Sequence, residues 1–199
     1  VLGAIGDNRS EGTLINALDD IDHNVRLAAA EALGSIKTKK ALSALLGLLK
    51  GEDLTLKFCA LESLSKYEND IPFEEISPFV NQSILRRATF DALGSSSHPD
   101  AVGLLISGLK DPSASSRHAA VRALARIHER QVSRRKAIQE GLKEWAKNNS
   151  IENISEGLDS ANQETQRGSL RLLGLTGSRK AISYILKAVG DPILQVEAA

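Results

Sequence analysis

The chain has 199 residues, of which 42% are hydrophobic and 4% aromatic, and its 25 basic side chains balance 25 acidic ones. This balance gives no global support for binding to nucleic acid or to an acidic membrane surface, and no apolar run approaches the roughly 20 residues of a membrane span. The single cysteine excludes an intrachain disulfide and fits a reducing compartment, so we expect a cytoplasmic protein. The apolar residues are mostly Leu, Ala, Ile and Val, which favours packed helices over sheets.

Amphipathic helices are predicted in pairs along the chain. The first helix of each pair has two apolar residues on one face, at i and i+4, and these are Leu14/Leu18, Leu45/Leu49, Ile76/Val80, Leu105/Leu109, Ile154/Leu158 and Ile185/Val189. The second helix is typified by residues 22–36, where the apolar stripe at helical spacing comprises Val25, Ala28, Ala29, Ala32, Leu33 and Ile36. Turn residues separate the two helices, among them Asp19-Asp20, Gly51-Glu52-Asp53, Asp111-Pro112 and Asp191-Pro192.

The second helices share a marker, which first occurs as Ala32-Leu33-Gly34. It recurs as Ser63-Leu64-Ser65, Ala92-Leu93-Gly94, Ala123-Leu124-Ala125 and Leu172-Leu173-Gly174, so the leucines are 31, 29, 31 and 49 residues apart. A period of this size indicates a stacked repeat. The residues four and five positions before each leucine are small, as close contact between helices requires. We therefore expect Leu in place of Ala29 or Ala120 to destabilise the fold, and Leu in place of Ala30 to be milder.

Two of the intervals depart from 31 residues. In the short one, the turn between Val80 and Leu85 lacks two residues relative to the equivalent turn in the first unit. The long one contains an extra helix at about 131–147, which has Ile138, Leu142 and Trp145 on one face.

The two ends of the sequence match parts of a unit. Val1 to Gly6 fits the end of a second helix, Pro192 to Ala199 fits the start of another, and there is no methionine. We therefore predict one repeat domain over 1–199, with about six units of which the first and last are incomplete, inside a longer protein. Further repeats or a partner would cover its ends.

The segments "NVRLAAAEALGSI" and "SSRHAAVRALARI" resemble HEAT repeats, and the 31-residue spacing is most similar to the short bacterial kind found in phycobilin lyases. The resemblance implies an all-α fold, an α-α superhelix or right-handed α-solenoid of stacked helix pairs, in which the second helices line the inner face. It is specific for the fold and much less specific for the function.

Metal and nucleophilic chemistry find little support in the sequence. Deoxyhypusine hydroxylases have a similar fold and bind iron through His-Glu pairs on their second helices, but His118 is followed by Ala119, and the single pair His128-Glu129 lies near a helix end. A di-iron site needs several converging pairs. Cys59 stands at a position that is small in every unit and is expected to be a core residue. We expect no catalytic residue, no metal and no cofactor.

Basic residues form a ladder at the start of the second helices: Arg26, Lys57, Arg86, Arg117 and the pair Gln166-Arg167. The ladder is either a cationic stripe for phosphate or a set of structural pairs with turn aspartates such as Asp20, Asp53 and Asp111. We favour the structural interpretation, because paired charge beside a helix terminus is the ordinary arrangement.

Two neighbouring rows on the second helices are the candidate partner-binding surface. The first row lies two residues before each marker leucine and consists of Glu31, Glu62, Asp91, Arg122 and Arg171. The second row lies six residues before each marker leucine and consists of Leu27, Phe58, Arg87, His118 and Arg167. Phe58 is either an anchor for a partner or packed into the adjacent unit. The first of these rows begins with acidic residues and ends with arginines. The chain as a whole has the same polarity: residues 1–99 carry 10 basic and 14 acidic side chains, and residues 100–199 carry 15 basic and 11 acidic ones. Either this polarity faces a partner of matching polarity or it is solvated surface.

The sequence favours a non-catalytic scaffold that binds another protein. The first alternative is a nucleic-acid-binding solenoid resembling DNA-alkylation-repeat proteins, which only Trp145 and the basic stretch from Arg117 to Lys147 support. The second is an accessory subunit like those of phycobilin lyases, for which no tetrapyrrole pocket is evident.

Overall fold

The computed structural model describes residues 10–68 and 71–189, and every regular element in these ranges is helical. Before residue 99 the helices are α1 (Glu11–Asn16), α2 (His23–Ile36), α3 (Lys39–Leu48), α4 (Leu54–Leu64), α5 (Phe73–Ile76) and α6 (Ser83–Leu93). From residue 99 they are α7 (Asp100–Gly108), α8 (Ala114–Arg130), α9 (Arg135–Asn148), α10 (Glu152–Ser155), α11 (Gln163–Thr176) and α12 (Arg179–Val189). Short 3-10 segments extend α1, α5 and α10 and precede α9; they are Ala17–Asp19, Ser77–Asn81, Glu156–Asp159 and Val132–Arg134.

The chain divides into two compact units, residues 1–98 and 99–199. In the first unit α1 packs on α2, α3 on α4 and α5 on α6, and the second helices α2, α4 and α6 lie side by side. In the second unit α7 packs on α8 and α10 on α11, while α8 lies against α11. Both units are thus built from stacked helix pairs, and one continuous solenoid over 1–199 stays a prediction.

The marker leucines form the centre of the helix pairs. All five are inaccessible to solvent, and they are Leu33, Leu64, Leu93, Leu124 and Leu173. On the first helices, Leu14, Leu45 and Leu105 are buried opposite them. Asp22, Asp53 and Asn162 are N-caps, because they accept hydrogen bonds from backbone amides of the next helix. Of the three, Asp53 lies in a turn that the sequence predicts.

The predicted stripe on α2 is only partly right. Ala29, Leu33 and Ile36 are buried, but Val25 and Ala28 are exposed, and Ala30 is completely buried. Ala30 is thus as inaccessible as Ala29, so the premise that Leu is milder at Ala30, an alanine away from the helix contacts, is wrong. The physical reason is that α2 packs on more than one side, against α1 and α3 and also against the second helix α4.

The contacts between second helices follow one register. Gly34 follows the marker leucine of α2, and Ser63 precedes the marker leucine of α4. A Cβ on Gly34 would lie 2.6 Å from the Cβ of Ser63. Gly168 lies five residues before the marker leucine of α11. A Cβ on Gly168 would meet Val121, which lies three residues before the marker leucine of α8, and Ala125, which lies one residue after it. Ala30 occupies the same position as Val121, so it faces the next second helix. Small residues at these positions allow the helices to approach closely.

Both irregular intervals have the predicted cause. Only Gln82 separates the 3-10 segment that ends at Asn81 from α6, which accounts for the short turn. The long interval contains α9, whose Ile138, Leu142 and Trp145 are all buried. Helix α9 packs against α7, α8 and α11, so it widens the core of the second unit.

Several predictions fall outside the described residues: Val1 to Gly6, the turn Asp191-Pro192, the segment Pro192 to Ala199, and the side chain of Val189. Among the helices that are described, none is both long enough and apolar enough to cross a membrane.

Candidate binding surface on the second helices

The basic ladder closes the turns between helices. The Arg26 guanidinium donates to the backbone carbonyl of Asp20 at 2.8 Å, and that of Arg117 donates to the carbonyl of Asp111 at 2.8 Å. Arg86 donates to the carbonyl of Val80 at 2.6 Å. In all three units the acceptor lies six residues before the arginine, where the carbonyls at the end of the first helix lack helical partners.

The structural interpretation of the ladder is therefore confirmed for Arg26, Arg86 and Arg117, but the acceptors differ from those expected. Backbone carbonyls take the place of the aspartate carboxylates, and the carboxylate of Asp53 is 3.9 Å from Arg26. Lys57 lies over the ring of Phe79 instead, 5.4 Å from its centroid. The fifth unit has Gln166 at this position, and its Oε1 is buried without a hydrogen-bond partner.

In the first unit four of the predicted site residues form one cluster. The guanidinium of Arg87 lies 5.0 Å from the ring centroid of Phe58. It also contacts the carboxylate of Glu62 at 2.6 Å and that of Asp91 at 3.7 Å. Phe58, Glu62 and Arg87 are half-buried, so they remain available at the surface. Asp91 is only 9% exposed, and its expected outward position is wrong because Arg87 covers it.

An acidic hollow of about 440 Å³ lies beside this cluster, lined by residues that include Glu31, Glu62 and Asp91. Cys59 is half-buried and lines this hollow, so the expectation that it is a core residue is wrong. Its thiol donates a weak hydrogen bond to the carbonyl of Leu27 across 3.6 Å. Burial raises the pKa of the Cys59 thiol, and the charges of Glu31 and Glu62 raise it further. The thiol is therefore protonated at neutral pH and a poor nucleophile.

In the second unit the rows border a groove between α8 and α11. Its volume is about 190 Å³, and its charged lining consists of Arg122, Arg126, Arg130, Arg167, Arg171, Glu129 and Glu164. The predicted residues Arg122, Arg167 and Arg171 are thus brought together. Arg126 and Arg130 were not predicted, although they continue the face of Arg122 at successive steps of four residues.

Specific contacts hold some of these side chains between the two helices. Arg122 donates to the hydroxyl of Thr165 at 2.9 Å. Arg171 is 3.5 Å from Glu129, and Arg126 is 3.9 Å from Glu164. Arg122 and Arg171 are half-buried, so the two residues are part of the contact between α8 and α11 as well as of the surface.

His118, the remaining predicted residue, lies half-buried near the start of α8. Its Nε2 is buried and has no hydrogen-bond partner. Burial lowers the pKa of His118, and the positive charges of Arg122 and Arg117 lower it further. The ring is therefore neutral at neutral pH and contributes no charge to the surface.

The other residues that the sequence analysis considered for metal or nucleic-acid chemistry have the following surroundings. Among residues 10–68 and 71–189, no three His, Cys, Asp or Glu side chains are grouped as metal ligands. His23 contacts Asp53, and His98 stacks on Phe73 at 4.7 Å. Trp145 is 6% exposed, so it is not an exposed ring on which a base could stack.

The fold defines a helical-repeat protein in which the second helices lie side by side within each unit. The sequence matches the family model of HEAT repeats over residues 1–67 and 81–152, and the chain belongs to the HEAT-repeat family. No curated protein matches the sequence.

Solved structures show the same fold at low sequence identity. The complex of CpcE and CpcF of phycocyanin lyase from Nostoc sp. PCC7120 is 19% identical with a TM-score of 0.58, covering 95% of this chain and 85% of that one. A designed armadillo repeat protein in complex with the peptide (KR)4 is 15% identical with a TM-score of 0.53, covering 94% and 95%. An engineered protein is 21% identical with a TM-score of 0.52, covering 96% and 94%. At these identities the likeness concerns the fold alone.

Proposed function

We propose that this HEAT-repeat chain is a non-catalytic scaffold that binds another protein through the half-exposed rows of its second helices. The observation that carries the proposal is the equivalent placement of these rows. In the first unit Glu62 borders a hollow and contacts Arg87, which lies over the ring of Phe58, while Arg122, Arg167 and Arg171 border a groove in the second. Charged and aromatic side chains held by mutual contacts at the surface are typical of binding faces.

The two surfaces differ in charge, which supports a partner with distinct acidic and basic segments. Glu31, Glu62 and Asp91 against the single Lys66 give the hollow in the first unit an acidic excess, whereas arginines dominate the groove in the second unit. Complementary charge of this kind fixes the orientation of a partner and speeds association more than it adds affinity. The lone thiol and the short repeats resembling bacterial ones support a place in the bacterial cytoplasm.

Nucleic acid binding has less support. Trp145 is buried in the contact of α9 with its neighbours, and Arg117 and Arg126 contact Glu156 and Glu164. The two features that favoured this alternative in the sequence therefore contribute to packing and to ion pairs.

Site-specific photo-crosslinking tests the proposal. A photoreactive residue would replace Glu31 on α2 or Arg167 on α11, both exposed positions in the rows. The matched controls would replace Lys40 on α3 and Ser107 on α7, which are exposed positions on first helices. We expect crosslinks to a partner protein from the second-helix positions and not from the controls. Crosslinks from Lys40 and Ser107 alone, or equally from all four, would contradict the proposal.

A further inference from the structure

The groove between α8 and α11 carries an excess of positive charge. Five arginines line it, against the two carboxylates of Glu129 and Glu164, and the remaining lining residues are Ala125 and Gly168. Arginine is suited to such a site because its planar guanidinium binds carboxylates through two parallel hydrogen bonds and never loses its charge near neutral pH.

The arrangement of the arginines follows from helix geometry. Arg122, Arg126 and Arg130 are four residues apart on α8, which places them about 6 Å apart along the helix axis. Arg167 and Arg171 repeat this step on α11, on the opposite side of the groove. Gly168 keeps the two helices close, since a Cβ there would lie 3.1 Å from Val121 and 3.3 Å from Ala125. The result is a narrow cationic strip and not a diffuse basic surface.

We infer that this groove binds an acidic peptide segment of the partner in extended form. The inference rests on the proposed function and names the chemistry of one of its binding sites. In an extended chain, every second side chain points to the same side, and these side chains are about 7 Å apart. Carboxylates at alternate positions therefore match the spacing of the arginines along α8 and α11.

The composition of the groove favours a peptide over a nucleic acid. No aromatic side chain lines it, so it lacks the stacking surfaces that single-stranded nucleic acids use. Glu129 and Glu164 stand among the arginines. They would repel a duplex, which carries one negative charge per about 1.7 Å of its axis, while an extended peptide can place its carboxylates opposite the guanidinium groups alone.

The test uses a fluorescein-labelled peptide of four Glu-Ser repeats and the whole chain at low ionic strength, with fluorescence anisotropy as the readout. We expect saturable binding that weakens as salt is added, and no binding of the corresponding Lys-Ser peptide. The variant Arg130→Gln/Arg167→Gln should bind the Glu-Ser peptide roughly tenfold or more weakly, because arginine–carboxylate contacts are lost. Both positions are exposed, and circular dichroism and thermal melting check that the variant remains folded.

A charge-matched control separates the groove from the general charge of the chain. Lys110→Gln/Lys136→Gln removes the same two charges from exposed positions of the same unit that do not line the groove. It should leave the affinity for the peptide within about twofold. An equal loss in both variants, or no binding by the parent chain, would overturn the inference.

A DNA duplex of matched charge completes the test. If the duplex bound more tightly than the peptide and lost affinity in the groove variant, the occupant would be nucleic acid and the inference would be wrong. If the peptide failed to bind while Glu31 and Arg167 still gave crosslinks to a protein, only the acidic peptide would be refuted. Loss of those crosslinks would refute the scaffold itself.

Discussion

Individual arginines in this chain have two different tasks. Arg26, Arg86 and Arg117 donate to turn carbonyls and thereby complete the ends of first helices. Arg126 and Arg171 lie in the groove between α8 and α11. The sequence shows the first set by its period of about one unit, and the row spacing also gives Arg171, whereas Arg126 becomes part of a site only when α8 and α11 are brought together.

The reactivity of Cys59 follows from its surroundings in the acidic hollow. Burial raises the pKa of the thiol first, and the charge of Glu31 second. The native chain should therefore react with a disulfide reagent at pH 7.5 far more slowly than the denatured chain. Glu31→Gln removes one negative charge and should speed the native reaction by roughly twofold, because more thiolate is present.

The control for this prediction is Glu52→Gln, an exposed change in the turn before α4. It should leave the rate of labelling unchanged. If Glu52→Gln accelerated labelling as much as Glu31→Gln, or if the native chain reacted as fast as the denatured one, the position assigned to Cys59 would be wrong.

At the scale of the elements, the side-by-side packing of second helices is the main structural device. Gly34 and Gly174 hold the same position after their marker leucines, but their surroundings differ. A Cβ on Gly34 would meet the backbone and side chain of Ser63 within 3.0 Å, while a Cβ on Gly174 would meet nothing within 4 Å. Gly34→Ala should lower the free energy of unfolding by about 1–3 kcal/mol through overpacking.

Gly174→Ala is the matched control and should be neutral or stabilising by up to about 1 kcal/mol, because alanine is the better helix former. Denaturant unfolding of both variants measures the difference. Ser63→Gly in the Gly34→Ala background should recover part of the loss if the two residues are in contact. Equal effects of the two glycine substitutions would contradict the register of α2 against α4.

Much of the element-scale structure could be predicted from the sequence. The marker leucines, the paired first helices and α9 all follow from apolar residues at helical spacing, which depends on local periodicity alone. The burial of Ala30 could not be predicted in this way, because it arises from a neighbouring helix that approaches along a second face. Arg126 and Arg130 were missed for the same reason, since α11 completes the groove that makes them part of a site.

At the scale of the whole molecule, neutrality in total conceals opposite charges on the two surfaces. The chain has 25 basic and 25 acidic side chains, yet the hollow of the first unit has three carboxylates against one lysine in its lining, and the groove of the second has five arginines against two carboxylates. The sum of the charges describes solubility, while the local pattern decides which partner segments each surface attracts.

The central claim is that Arg26 and Arg86 of the ladder are structural, whereas the arginines of the groove, Arg167 among them, bind. Nuclear magnetic resonance of the arginine Nε–Hε groups during titration with the Glu-Ser peptide tests it most directly. We expect the signals of Arg126, Arg167 and Arg171 to shift in proportion to binding, while those of Arg26 and Arg86 stay in place because turn carbonyls already hold these side chains. Equal shifts in both sets, or shifts confined to the ladder, would contradict the account.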